Sequence, residues 1–149
     1  MYGYKINDVI NKHIYIGPAV LRPYKEIIQK SAYPPFNSSE ALDIAMHAVE
    51  AYETSGGDLF GLIELKVFLL ECGTHFASDF GGDMGEDFYE ILENLFEATL
   101  KQIKANDKKL FETYKSRLKA IIETAQDTGW GYGDQLVYYW EEAFGKDAI

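Results

Sequence analysis

Cysteine occurs once in these 149 residues, at Cys72, so no disulfide can form within the chain. Its setting in an apolar run is that of a small buried hydrophobe, and the reading that follows is of a protein of the reducing cytoplasm. Uninterrupted hydrophobic stretches are also missing. The longest candidate, LFGLIELKVFLL from Leu59 to Leu70, is broken by Glu64 and Lys66 and is shorter than the roughly 20 residues that span a bilayer, so no membrane role is expected. The opening MYGYKINDVINKH has no basic segment followed by an apolar one and is not expected to act as a secretory signal. Hairpin signals are absent as well: no Asn-Gly or Asp-Gly pair separates alternating segments. Four prolines leave long stretches free to be helical.

What is present is helical periodicity along most of the chain, with 47% apolar or aromatic residues, enough for a substantial core despite a formal charge of −10. The pattern predicts a single all-α domain over residues 1–149, a compact bundle of five to seven helices around a central apolar helix. The first sixteen residues read as a short amphipathic helix or an extended segment. A helix from about Ala19 to Ser31 would place Leu21, Tyr24, Ile27 and Ile28 on one face. Asn37 with Glu40 three residues on resembles a capping box, opening a helix that buries Leu42, Ala45, Met46, Val49 and Tyr52. From Asp58 to about Ala77 apolar residues surround the whole cylinder, which marks the centre of the bundle. A single stripe returns between Glu86 and Lys104, and another runs from Leu110 to Ala125, expected as an antiparallel partner across a short turn. GWGYG then precedes a last helix, from Asp134 to Phe144, on which Leu136, Tyr139, Trp140 and Ala143 share a face and close the core. Trp130 and Tyr132, held between glycines, are the rings least obliged to be buried.

Positive charge is nearly missing from the middle of the chain. Residues 37–100 carry fourteen acidic side chains and one basic one, Lys66, whereas residues 1–36 carry five basic and two acidic, and the remainder eight of each. Glu86, Glu90, Glu93 and Glu97 follow at spacings of four, three and four, a row about 16 Å long on one helix face, opposite the apolar stripe. Like charges so placed each cost the helix about 0.2–0.5 kcal/mol, which local stability alone would avoid. One explanation is solubility. The other is a basic protein partner met by Glu86, Asp87, Glu90, Glu93, Glu97 and neighbouring Asp83, with Trp130 and Tyr132 as aromatic anchors. The same field argues against binding nucleic acid directly. In general character the chain is similar to the immunity proteins that neutralise bacterial toxins and to phage-encoded inhibitors of nucleases. That likeness is one of composition and carries over no site residue. It implies a non-enzymatic inhibitor of a nuclease-like toxin or other nucleic-acid-processing protein.

An enzyme is the alternative. Asp43, His47 and Glu50 share one helix face and Glu71, His75 and Asp79 another, so two packed helices could bring imidazole and carboxylate groups together around a metal. The spacing differs from the Glu-x-x-His pairs of di-iron bundles. Asp79 to Glu90 has acids at four positions of a calcium loop, but Met84 stands where the sharp turn needs glycine. No phosphate cradle or nucleophile–base pair is evident, and no cofactor is expected.

Overall fold

The computed structural model describes residues 58–79, 85–106 and 108–146, with residues 46, 47, 49, 50, 53, 54 and 56 from the stretch before them. The readings made for residues 1–45, including the helix at 19–31 and the capping box at Asn37, lie outside the described residues. Four long helices follow one another: α1 Leu59–Asp79, α2 Glu86–Lys104, α3 Lys108–Ala125 and α4 Tyr132–Phe144. No strand occurs among the described residues. The all-helical reading therefore holds over the described residues, while a count of five to seven helices goes beyond them.

α1 is apolar on every side, and Ile63, Val67, Phe68, Leu70, Cys72 and Ala77 are all fully buried. It packs against α2 and α3; Val49, from the helical residues before it, joins the same core. The expected partnership of α2 with α3 takes a different form. The turn at Ala105 and Asn106 does reverse the chain, but α3 packs mainly on α1 and α4 and touches α2 lightly. The reason is that α1 offers apolar side chains all round, whereas the stripe of α2 is already divided between α1 and α4. Cross-contacts give the directions. Lys66 meets Gln102 and Thr74 meets Tyr132, so α1 runs against α2, and its C-terminal end lies at the start of α4. Phe111 packs on Trp140 and Phe144, so α3 runs against α4.

α4 begins at Tyr132, two residues before the position expected from Asp134. Trp130 and Gly131 both adopt left-handed backbone, with φ of 59° and 67°, and this pair turns the chain sharply enough for helix to start at once. Glycine takes that conformation freely, whereas a tryptophan there costs about 1–2 kcal/mol. Gly133 is required for another reason: a Cβ at this position would lie 2.9 Å from the Cα of Gln126, so only glycine lets the turn and α4 approach so closely.

Lys66, the one cation of the acidic stretch, does not stand on the surface. It is 8% exposed within α1, its ammonium donating to Gln102 Oε1 at 2.5 Å. Burial lowers its pKa from the ordinary lysine value, and nearby Glu53 opposes the shift. A base with a folded pKa below its unfolded one weakens the fold while charged, and the penalty fades as pH rises from that lowered value towards 10.5. Lys66→Met should accordingly match or exceed the wild type in thermal midpoint at pH 7, and the gain should shrink above pH 9. A midpoint lower by more than about 5 °C, a loss of roughly 1–2 kcal/mol, would mean that the bond to Gln102 matters more than desolvation.

Candidate functional site

The four glutamates of the row lie on α2, which is set up for them by its own dipole. Glu86 and Asp87 occupy the first turn, where the helix end is positive, and Lys101 and Lys104 the last, where it is negative. With Lys101 and Lys104 the row continues at spacings of four and three, so one face changes from acidic to basic along its length. Lys101 approaches Glu97 to 3.6 Å at that changeover.

The row is not opposite the apolar stripe along its whole length, as the spacing suggested. Glu86 and Glu90 are exposed, whereas Glu93 and Glu97 are half-buried. α4 packs alongside α2 and brings its own acidic residues, Asp134, Glu141 and Glu142, with no basic residue anywhere in the helix. The pKa of Glu93 is raised, chiefly by burial and then by Glu90 and Glu86. The shift is first a consequence of burial beside α4, and the two neighbouring carboxylates add to it. Together α2 and α4 hold eight acidic residues against two lysines. α3 is the reverse, with five basic residues and two acidic. The bundle is therefore electrostatically two-sided.

Two acids of the middle segment are removed from this account. Glu64 and Glu71, seven apart on α1, both bind Arg117 of α3, at 2.5 and 2.6 Å, with a further contact from Arg117 Nε to Glu71 at 3.2 Å. Sequence reasoning missed this triad; its signal was two acids on the same side of an otherwise apolar helix.

Of the two aromatic anchors expected, Trp130 is 65% exposed at the end of the bundle where α2 begins. Tyr132 is corrected. It is fully buried, its ring 5.2 Å from that of Tyr89 and its hydroxyl 2.7 Å from Thr74 Oγ1, and burial pushes its pKa upward. It holds the start of α4 to α1 and α2 and offers nothing to a partner. Tyr138 is a ring that no spacing singled out: it is 54% exposed on α4 and borders a groove of about 260 Å³ between α4 and the end of α2. Leu100 and Ala143 provide the apolar part of this groove, Tyr138 and Tyr139 its aromatic part, and Glu97, Lys101, Lys104 and Glu142 its charged rim. Asp83 lies outside the described residues.

The alternative metal ligands are not brought together. His47 and Glu50 are exposed, Glu71 is engaged by Arg117, and His75 is partly buried on α1. Asp43 and the side chain of Asp79 lie outside the described residues. Among the described residues no three His, Cys, Asp or Glu side chains form a group able to hold a metal ion. Residues 86–90 of the calcium-like stretch are the first turn of α2. No described helix is long and apolar enough to cross a membrane. The chain matches no family model, no curated protein and no solved structure.

Proposed function

We propose that this protein is a non-enzymatic binding protein of the cytoplasm that inhibits a basic partner, a nuclease-like toxin or another nucleic-acid-processing protein, in the manner of an immunity protein. The observation that carries the reading is the α2–α4 face, on which Glu86, Asp87, Glu90, Glu93 and Glu97 follow one another along α2 with no lysine among them and α4 adds Asp134, Glu141 and Glu142. Basic surfaces that normally receive phosphates accept such a row by charge complementarity, which steers encounter, and Trp130 at the same end supplies an apolar anchor. The left-handed backbone of Trp130 costs stability and is consistent with a ring displayed for contact.

The test uses affinity capture with the wild-type chain and with E86Q/E90Q/E93Q/E97Q, followed by association kinetics of the recovered protein at low and physiological salt. A basic partner whose nucleic-acid cleavage is blocked stoichiometrically is expected. The quadruple variant should slow association by about tenfold or more at low salt and much less at high salt. Trp130→Gly, which relieves the backbone, should leave association unchanged and accelerate dissociation. Equal association rates for wild type and quadruple variant overturn the reading.

A further inference from the structure

We propose that the protein associates head to tail with a second copy of itself, Trp130 of one copy entering a groove between the start of α1 and the start of α3 of the next. The inference goes beyond the function proposed above and does not depend on it. The groove holds about 520 Å³ and lies at the end of the bundle opposite Trp130. Leu59, Phe60 and Leu110 make its apolar wall and Asn106 and Thr113 its polar edge, and Lys109 is the one charged residue among the described residues lining it. Phe60 stays half exposed although its ring lies 5.9 Å from that of Tyr114. Such a lining suits an apolar ring carried among acids: the wall takes the ring, and the lysines around it take the charge beside it.

Charge is arranged to match. Residues 101–109, the α2–α3 turn with its flanks, hold four lysines against one acid, Asp107, which lies outside the described residues. Lys101 is near Glu97, and Lys104 and Lys108 stand exposed on either side of the turn beside Lys109. Asp58, next to the groove, accepts from the Gly61 N–H at the start of α1. Glu53, Glu112 and Glu142 also lie towards this end, so it is mixed in sign. The other end is not mixed. Glu86, Asp87, Glu90, Glu123, Asp127 and Asp134 are all exposed there, and no Lys or Arg occurs in residues 67–100 or 120–145. Trp130, exposed between two glycines, is the apolar ring among those acids. With 19 residues α2 is about 28 Å long, so Trp130 cannot reach the groove of its own chain and the contact has to be made between copies. Two ends that match without coinciding make a heterologous interface, which repeats in one direction and gives open chains in place of a closed pair. The formal charge of −10 opposes crowding, but at physiological salt charges more than about 8 Å from the contact are screened, while those of the facing ends are not. Where the inhibitor function holds, a second copy and the partner compete for one end.

The experiment is sedimentation velocity of the full chain at physiological salt, from about 10 µM to about 1 mM, the range of a small transient interface. The mass of the wild type should rise with concentration past that of a dimer. Trp130→Gly removes the ring. Phe60→Glu puts a carboxylate into the groove wall, at the first turn of α1, where the helix dipole favours an acid. Each should stay monomeric with its circular dichroism unchanged, and K104E/K108E, which leaves the wall intact, should weaken association about tenfold. The deciding step mixes the two single variants. Phe60→Glu keeps its ring and Trp130→Gly its groove, so the equimolar mixture should form a one-to-one dimer and nothing larger. A wild type that is monomeric at the highest concentration or stops at the dimer, a mixture that stays monomeric, or K104E/K108E associating like the wild type overturns the proposal. None of these outcomes bears on how E86Q/E90Q/E93Q/E97Q meets a basic partner, so the inhibitor reading stands or falls separately.

Discussion

Trp140→Ala is expected to lower stability by about 3–5 kcal/mol, the range for emptying a large aromatic site in a core. Trp140 has no exposed surface and is the largest fully buried side chain of the bundle, with Phe111 at 5.8 Å and Phe144 at 5.1 Å between ring centres. It joins α4 to α3, so the loss falls on the helix that also carries Tyr138 and three of the eight acidic residues of the α2–α4 face. The thermal midpoint should drop by roughly 10 °C for a chain of this size. Trp140→Phe separates packing from polarity. The indole N–H has no acceptor among the described residues, so its removal forfeits no hydrogen bond and relieves a buried donor. The phenylalanine variant should therefore lose no more than about 1–2 kcal/mol, the smaller ring alone being felt. Urea denaturation followed by circular dichroism checks both. An alanine variant within 1 kcal/mol of wild type would mean that α4 is not packed as described.

How far the sequence led depended on whether a feature was local. α1 was legible because apolar residues on every side of a helix have one physical solution, burial in the middle of other helices. The stripe of α2 was legible because its period matched the helix and its charges were sorted to suit the dipole. Tyr132 was misread because its partners, Tyr89 and Thr74, lie 43 and 58 residues away and no local rule connects them. The glycines of GWGYG pointed to a turn at this place, but positive φ is a glycine habit, and nothing local announced that Trp130 would adopt it beside Gly131. The acidic row could be spaced from the sequence but not placed, since the half-burial of Glu93 and Glu97 requires α4 alongside. Counting charges along the chain likewise treated the middle segment as uniform: Lys66 is enclosed in α1, and Glu64 and Glu71 share Arg117, whereas Glu86, Asp87 and Glu90 of α2 are exposed, as are Glu50, Glu53 and Asp58 before them. The surface argument survives because none of the row is among the acids that Arg117 holds.

Removing that shared arginine should be costly. Arg117→Met is expected to destabilise the protein by about 2–3 kcal/mol, below the full figure for a deeply buried pair because the guanidinium side chain is 28% exposed. Glu64 and Glu71, 13% and 17% exposed, would keep their charges with little water and without the guanidinium that spans them, on the helix that organises the core. The guanidinium also lies 5.6 Å from the ring centre of Tyr114, a contact that a thioether does not replace in kind. Arg117→Lys should recover about half of the loss, since an ammonium can serve one carboxylate well but lacks the fork that spans two. The decisive comparison is the triple variant E64M/E71M/R117M. Replacing every member by an apolar side chain of similar length removes both the desolvation penalty and the attraction, so stability should return to within about 1 kcal/mol of wild type. Thermal melts in low and high salt provide the measurement, the single variant falling by roughly 5–10 °C. A triple variant as unstable as Arg117→Met would show that the triad acts through its geometry and not through the balance of its charges; α1 and α3 would then be held in register by ions, where hydrophobic contact alone does not suffice.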